Sequence, residues 1–230
     1  MQFATKIDEQ LTALKTKFPE RDFQLISSHD IIAREYRREF IRPALIQLID
    51  KNVCKPGRDD ANNYERACLD IITWTLGQEL NGTPEHHTPS FLLDGFSRRI
   101  RDITFPIPQI TLPPQWESIK IEHKLRSIVF ECKNYVSTNP LTNLEVYQLF
   151  EYINKDQHGT LGILLSRYGR KSIHNSLNSA LNKIYGLDLG FRILVLADED
   201  LIQMIDEYVN TGSCSNFFSR QVEVSRSLPI

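Results

Sequence analysis

The chain has 230 residues, 41% hydrophobic and 24% charged, and its 27 Lys and Arg against 29 Asp and Glu leave a net charge of −2. These values are ordinary for a globular protein and exclude both a disordered polyelectrolyte and a polycation held on nucleic acid by bulk charge. The sequence offers no apolar run near the roughly 20 residues that span a bilayer, and Met1 to Lys17 lacks the apolar core of a secretory signal. Cys54, Cys68, Cys132 and Cys214 are scattered without C-x-x-C spacing, which speaks against a disulfide framework or a structural zinc site, so a cytoplasmic, membrane-free setting is expected.

Residues 1–55 read as a helical extension. Ser27-Ser28-His29-Asp30 makes a cap-like start, and Ile31, Ile32, Tyr36, Phe40 and Ile41 follow with an approximate helical period. Pro43 divides that helix, and Lys55-Pro56-Gly57 ends the pattern as an internal boundary. A second helix is expected from Asn62 to Leu76, with Gly77 as its C-cap. His86-His87-Thr88-Pro89 reads as a loop, Ser90 to Leu93 and Ile100 to Ile107 as strands, and Asp94-Gly95 as the turn between them.

A proline-rich insertion and the charged segment Glu117 to Lys124 precede the central strand, Arg126 to Lys133. Helices are expected over Thr142 to Asn154, Ser172 to Ile184 and Asp198 to Val209, with strands over Leu161 to Ser166 and Arg192 to Ala197. Residues 213–230 remain as a tail. Strands alternating with helices imply parallel pairing in the second half, and the first three strands suit a meander; the fold class is α/β, a mixed central sheet flanked by helices.

The chemistry concentrates at the end of the central strand. In Glu131-Cys132-Lys133 the alternation of a strand places Glu131 and Lys133 on one face and Cys132 on the other. Acid and amine side chains seldom end a buried strand without a partner or a task. Four stretches around this motif resemble the restriction-endonuclease-like, or PD-(D/E)xK, nuclease superfamily: Arg98-Arg99-Ile100-Arg101-Asp102, Ile128 through Tyr135, Val146-Tyr147-Gln148-Leu149 and Gly162 through Arg167. With Tyr64-Glu65 on the preceding helix the resemblance covers roughly residues 60 to 200, a nuclease-like core over 56–212. It departs from the family pattern in having Arg101, not Pro, before Asp102, and in the long gap from Asp102 to Glu131.

The resemblance implies that Asp102 and Glu131, with the backbone carbonyl of Cys132, bind Mg²⁺, for which Mn²⁺ may substitute, and that Lys133 positions and helps deprotonate the attacking water. It further implies supporting roles at the catalytic centre for Glu65 and Gln148. Duller alternatives stand beside these. Asp102 could pair with Arg99 or Arg101, Asp94 is a rival for the acidic position, and Glu131 and Lys133 could simply pair with each other. Asn62-x-x-Glu65 and Thr142-x-x-Glu145 both fit capping boxes. Arg99, Arg101 and Arg167 flank the motif and are candidates for phosphate contacts; as charge runs they could equally be solvated faces. Adjacent His86 and His87 lack a third ligand nearby and suit a loop.

The implied activity is a metal-dependent endonuclease acting on DNA, of the kind used in restriction or phage defence, working as a homodimer or under control of a partner. An RNA phosphodiester presents similar chemistry, so RNA stays open. The alternative is a catalytically silent nuclease-like fold serving as a nucleic-acid-binding or assembly module, against which the retention of Asp102, Glu131 and Lys133 together argues. Arg34, Arg37, Arg38 and Arg42, grouped on the N-terminal helix, are candidates for a DNA or partner contact.

Overall fold

The computed structural model describes residues 33–77, 79–90, 99–108, 112–136, 141–155, 158–167, 175–186 and 190–226. A five-stranded mixed sheet runs in the order β1 (Glu85–Ser90), β2 (Arg99–Pro106), β3 (Ser127–Lys133), β4 (Leu161–Ser166) and β5 (Arg192–Ala197). β1, β2 and β3 pair antiparallel, and β3, β4 and β5 pair parallel. The change of direction at β3 follows from the connections. The parallel neighbours need crossovers, which the helices between them supply.

Helices cover both faces. Ile103, Phe105, Ile128, Phe130, Ile163, Leu165, Leu194 and Leu196 turn towards one core. That core is closed by α1 (Arg42–Leu48), α2 (Ala61–Leu76), α3 (Pro114–Glu122), α6 (Asp198–Thr211) and α7 (Ser215–Arg226). Val129, Leu164, Ile193 and Val195 turn the other way, under the crossover helices α4 (Asn143–Lys155) and α5 (Asn175–Tyr185). α4 lies close on β4: a Cβ at Gly162 would stand 3.0 Å from the Leu149 side chain. No helix among the described residues is long and apolar enough to cross a membrane.

The structure departs from the sequence expectations at several elements. The His86-His87-Thr88-Pro89 stretch is not a loop; it lies in β1, paired along β2. The segment after Pro113 forms α3, which buries Trp116 and Ile119. Residues 215–226 are not a tail. They form α7, with Phe217, Phe218 and Val222 buried in the core and Phe218 5.0 Å from the Trp116 ring.

Gly77 continues in helical conformation, whereas Gly212, after α6, holds the left-handed cap. The N-terminal helix has a π-turn at Arg37–Ile41 ahead of α1, where Pro43 occupies the first turn. Ile41, Leu45 and Ile49 share the core of α2 and α6. Arg37 donates to the Val209 carbonyl and Arg42 to Asp206, so these two cations are tied to α6. Asp94 and Ser27 through Asp30 lie outside the described residues.

Candidate active site

β2 and β3 stay in register up to Ile103 opposite Phe130. Both of those side chains enter one core, so alternation turns Asp102 and Glu131 to the opposite face, side by side where the ladder ends. There a side chain takes over from the main chain: Asp102 Oδ2 accepts the backbone N–H of Cys132 at 2.7 Å. The Cys132 thiol points to the other layer, against Cys68, as strand geometry requires.

Glu131 is buried, and Oε1 accepts from the Lys133 ammonium and from Gln148 Nε2 at 3.1 Å. Gln148 reaches down from α4 and also donates to the Tyr152 hydroxyl at 2.9 Å, which fixes its amide. Glu131 Oε2 is buried with no hydrogen-bond partner among the described residues. A buried carboxylate oxygen left in that state costs free energy unless something cationic meets it.

The electrostatics agree with the geometry. Burial, and then the neighbouring charge of Glu131, push Asp102 up to about 8 against the opposing Cys132 N–H, with Glu65 adding to the rise. Burial likewise raises Glu131, although Lys133 opposes it. Burial lowers the pKa of Lys133, but the carboxylates of Glu131 and Asp102 outweigh it and hold the ammonium well above its ordinary range. Glu65 comes from α2 on the other layer, and its carboxylate lies 3.6 Å from His86 on β1. α2 begins at Ala61 with Asp60 in the cap position, so Asn62 and Glu65 do not frame the helix start.

Asp102, Glu131, Lys133 and Gln148 are thus brought together, with Glu65 acting on both acids. Beside them opens a cleft of about 460 Å³ whose lining includes Glu65, Lys133, Tyr135 and Arg58. Glu145 belongs elsewhere: its carboxylate caps α4 by accepting the Thr142 N–H at 2.9 Å, and it accepts the Tyr135 hydroxyl at 2.7 Å.

Arg167 is the main correction. It is fully buried, donating to Asn134 Oδ1, to the Ile49 and Cys54 carbonyls and to Asp198, and it stacks over the Tyr64 ring at 4.5 Å. A guanidinium with its donors spent in the interior is not available to a phosphate. Arg99 and Arg101 lie on β2, paired with Ser90 and Thr88, and their side chains are outside the described residues. Sequence reasoning assigned His86 to a loop and gave no role at the site to Arg58 or Tyr152. His86 follows Glu85 in what reads as a loop, and Arg58 sits in a turn with no motif around it.

No protein-family model matches the chain, and no curated protein matches it. What the site can do therefore rests on its own chemistry. The buried Glu131 and the partly buried Asp102 offer hard oxygen donors, and Mg²⁺ is commonly held by one or two carboxylates with water completing its shell. The unsatisfied Glu131 Oε2 and the raised pKa of both acids are what such a cation would relieve. Among the described residues no group of three or more His, Cys, Asp and Glu is arranged to hold a metal.

Proposed function

We propose that the protein is a metal-dependent nuclease with a restriction-endonuclease-like core, hydrolysing phosphodiester bonds in DNA. The observation that carries this reading is the convergence of Asp102 and Glu131 at the point where β2 and β3 part, with the Lys133 ammonium on one Glu131 oxygen and the other oxygen buried and unsatisfied. Asp102, Glu131 and the Cys132 carbonyl are the residues that would hold Mg²⁺ or Mn²⁺. Such an ion supplies charge neutralisation to the scissile phosphate and polarises its oxygens.

The remaining work falls to side chains of the chain itself. Lys133, held on Glu131 Oε1, would orient the attacking water, help draw off its proton and offset negative charge there. Gln148 holds Glu131 in one rotamer through Oε1. Glu65 adds a third acid at the wall of the cleft. A role in restriction or phage defence and action as a dimer follow from the family resemblance alone.

One observation favours a second reading, a nuclease-like fold that binds without cutting. Glu131 and Lys133 already satisfy each other in part, as a purely structural pair would. Cleavage of supercoiled plasmid and of single-stranded circular DNA, with Mg²⁺ or Mn²⁺ and with EDTA, separates the two. The nuclease reading expects metal-dependent nicking that Lys133→Ala lowers by about 10²–10⁴-fold. Equal cleavage by wild type and Lys133→Ala would overturn the mechanism, and DNA binding with no cleavage under either metal would establish the second reading.

A further inference from the structure

The cleft beside the carboxylates has a feature that the hydrolytic centre does not use. Arg58 lines it, exposed to solvent, and makes no ion pair or side-chain hydrogen bond with any described residue. A free arginine on a loose loop would mean little, but this one stands on a turn that is held from several sides. Asn134, directly after Lys133, donates from Nδ2 to the Lys55 carbonyl at 3.0 Å and to the Gly57 carbonyl at 2.8 Å, and its own carbonyl accepts the Gly57 N–H at 2.9 Å. Asn134 is held in turn by Arg167. Gly57 has φ 128° and ψ 175°, a conformation that essentially only glycine adopts, and it aims the chain into the short 3₁₀ turn that begins at Arg58.

The same cleft is lined by Tyr135, whose hydroxyl is fixed by Glu145, and by the exposed side chain of Val136. The cleft therefore offers a guanidinium carried on a held turn, an aromatic and apolar wall, and the Lys133 ammonium, with the Glu65 carboxylate also on its lining. Its volume of about 460 Å³ falls in the range of small-ligand pockets. Cation and aromatic surface together are the chemistry that binds an unpaired nucleotide, through its phosphate and through the face of its base. Inside a duplex that face is covered by stacking and pairing.

We propose that this cleft is a subsite for one unpaired nucleotide next to the cut, with Arg58 on its phosphate and Tyr135 against its base, so that the substrate is single-stranded or frayed DNA. The position of the cut rests on the nuclease reading; the binding does not.

Binding is measured on the full chain in EDTA, by fluorescence anisotropy of a labelled oligodeoxythymidine and of a duplex of equal length, over a series of salt concentrations. The wild type should prefer the single strand by about tenfold or more, and Arg58→Ala should weaken that binding by about tenfold. The slope of log affinity against log salt should fall by about 0.7, the value for one lost phosphate contact on a single strand. Arg58→Lys keeps the charge and should keep the slope. Because Arg58 is exposed and unpaired, the thermal midpoint of Arg58→Ala should match the wild type. Gly57→Ala, which strains the turn, should weaken binding in the same direction.

Unchanged affinity and slope in Arg58→Ala, or duplex bound as tightly as single strand, would overturn the subsite. If the wild type fails to cleave with any metal while Arg58-dependent binding persists, the nuclease reading falls and the subsite stands. If duplex is cleaved with kcat/KM unaffected by Arg58→Ala, the subsite falls and the nuclease reading stands.

Discussion

Replacing Arg167 with methionine keeps most of the apolar bulk beneath Tyr64 and removes a buried charge that four acceptors share. Asp198, itself buried, would keep the Tyr64 hydroxyl at 2.9 Å and the more distant charge of Lys51, while Asn134 Oδ1 and the Ile49 and Cys54 carbonyls would lose the Arg167 donors. Breaking a buried ion pair from one side costs about 3–5 kcal/mol, and each stranded acceptor about 1–3 kcal/mol, with incomplete additivity. A loss of about 4–6 kcal/mol is expected, a large part of the roughly 5–15 kcal/mol that keeps a domain folded.

The loss should also depend on pH. Burial raises Asp198 from its ordinary 3.8 to about 6, against the opposing influence of Arg167 and Tyr64. A carboxyl whose folded pKa lies above its unfolded one favours the fold while protonated. That contribution, about 3 kcal/mol for this interval, is complete below the unfolded pKa and lost as pH rises through about 6. Without Arg167 the carboxylate meets burial with less to offset it, so the deficit should be largest near pH 8 and shrink towards pH 5. Asp198→Asn in the same chain should restore part of the loss. Urea unfolding followed by circular dichroism reads all of this as a lower midpoint with unchanged slope. A loss below about 1 kcal/mol at neutral pH, or one that deepens towards acid, would refute the reasoning.

Three other outcomes are expected. Mg²⁺ at about 100 times its dissociation constant should stabilise the fold by about 2.7 kcal/mol, raising Tm by about 5–10 °C, and Glu131→Gln should abolish that rise in a calorimetric scan. Gln148→Leu frees the Glu131 rotamer and should lower metal-dependent cleavage by about 10–100-fold. Its thermal midpoint should move little, and an unchanged rate would remove Gln148 from the site. Phe218→Ala empties a core position against Trp116 and should cost about 3–5 kcal/mol in denaturant unfolding; a small cost would mean that α7 packs only loosely.

Much of the sheet is legible because β3, β4 and β5 are short apolar runs between clear breaks, buried on both faces, and the boundaries of β4 and β5 coincide with those runs. The Glu131–Lys133 face followed from alternation, and the Thr142–Glu145 box from local spacing. The failures share a cause in partners distant along the chain. β1 is polar and carries Pro89, and only its pairing with β2 makes it a strand. α3 buries little besides Trp116 and Ile119, too sparse a stripe to stand out from its charges. Arg167 looks like a strand-end surface cation because the carbonyls that bury it lie more than a hundred positions away, at Ile49 and Cys54.

Asn134 ties the end of β3 to the turn at 55–57 and to Arg167. Residues 49–57 are therefore part of the scaffold under β3. Trimming the protein to start at residue 56 would take away the Ile49 and Cys54 oxygens, leave the Arg167 guanidinium short of acceptors beside β3, and loosen the support of the residue that follows Lys133. A shortened protein that retained every acid of the site would still be expected to lose activity, through collapse of the scaffold under it.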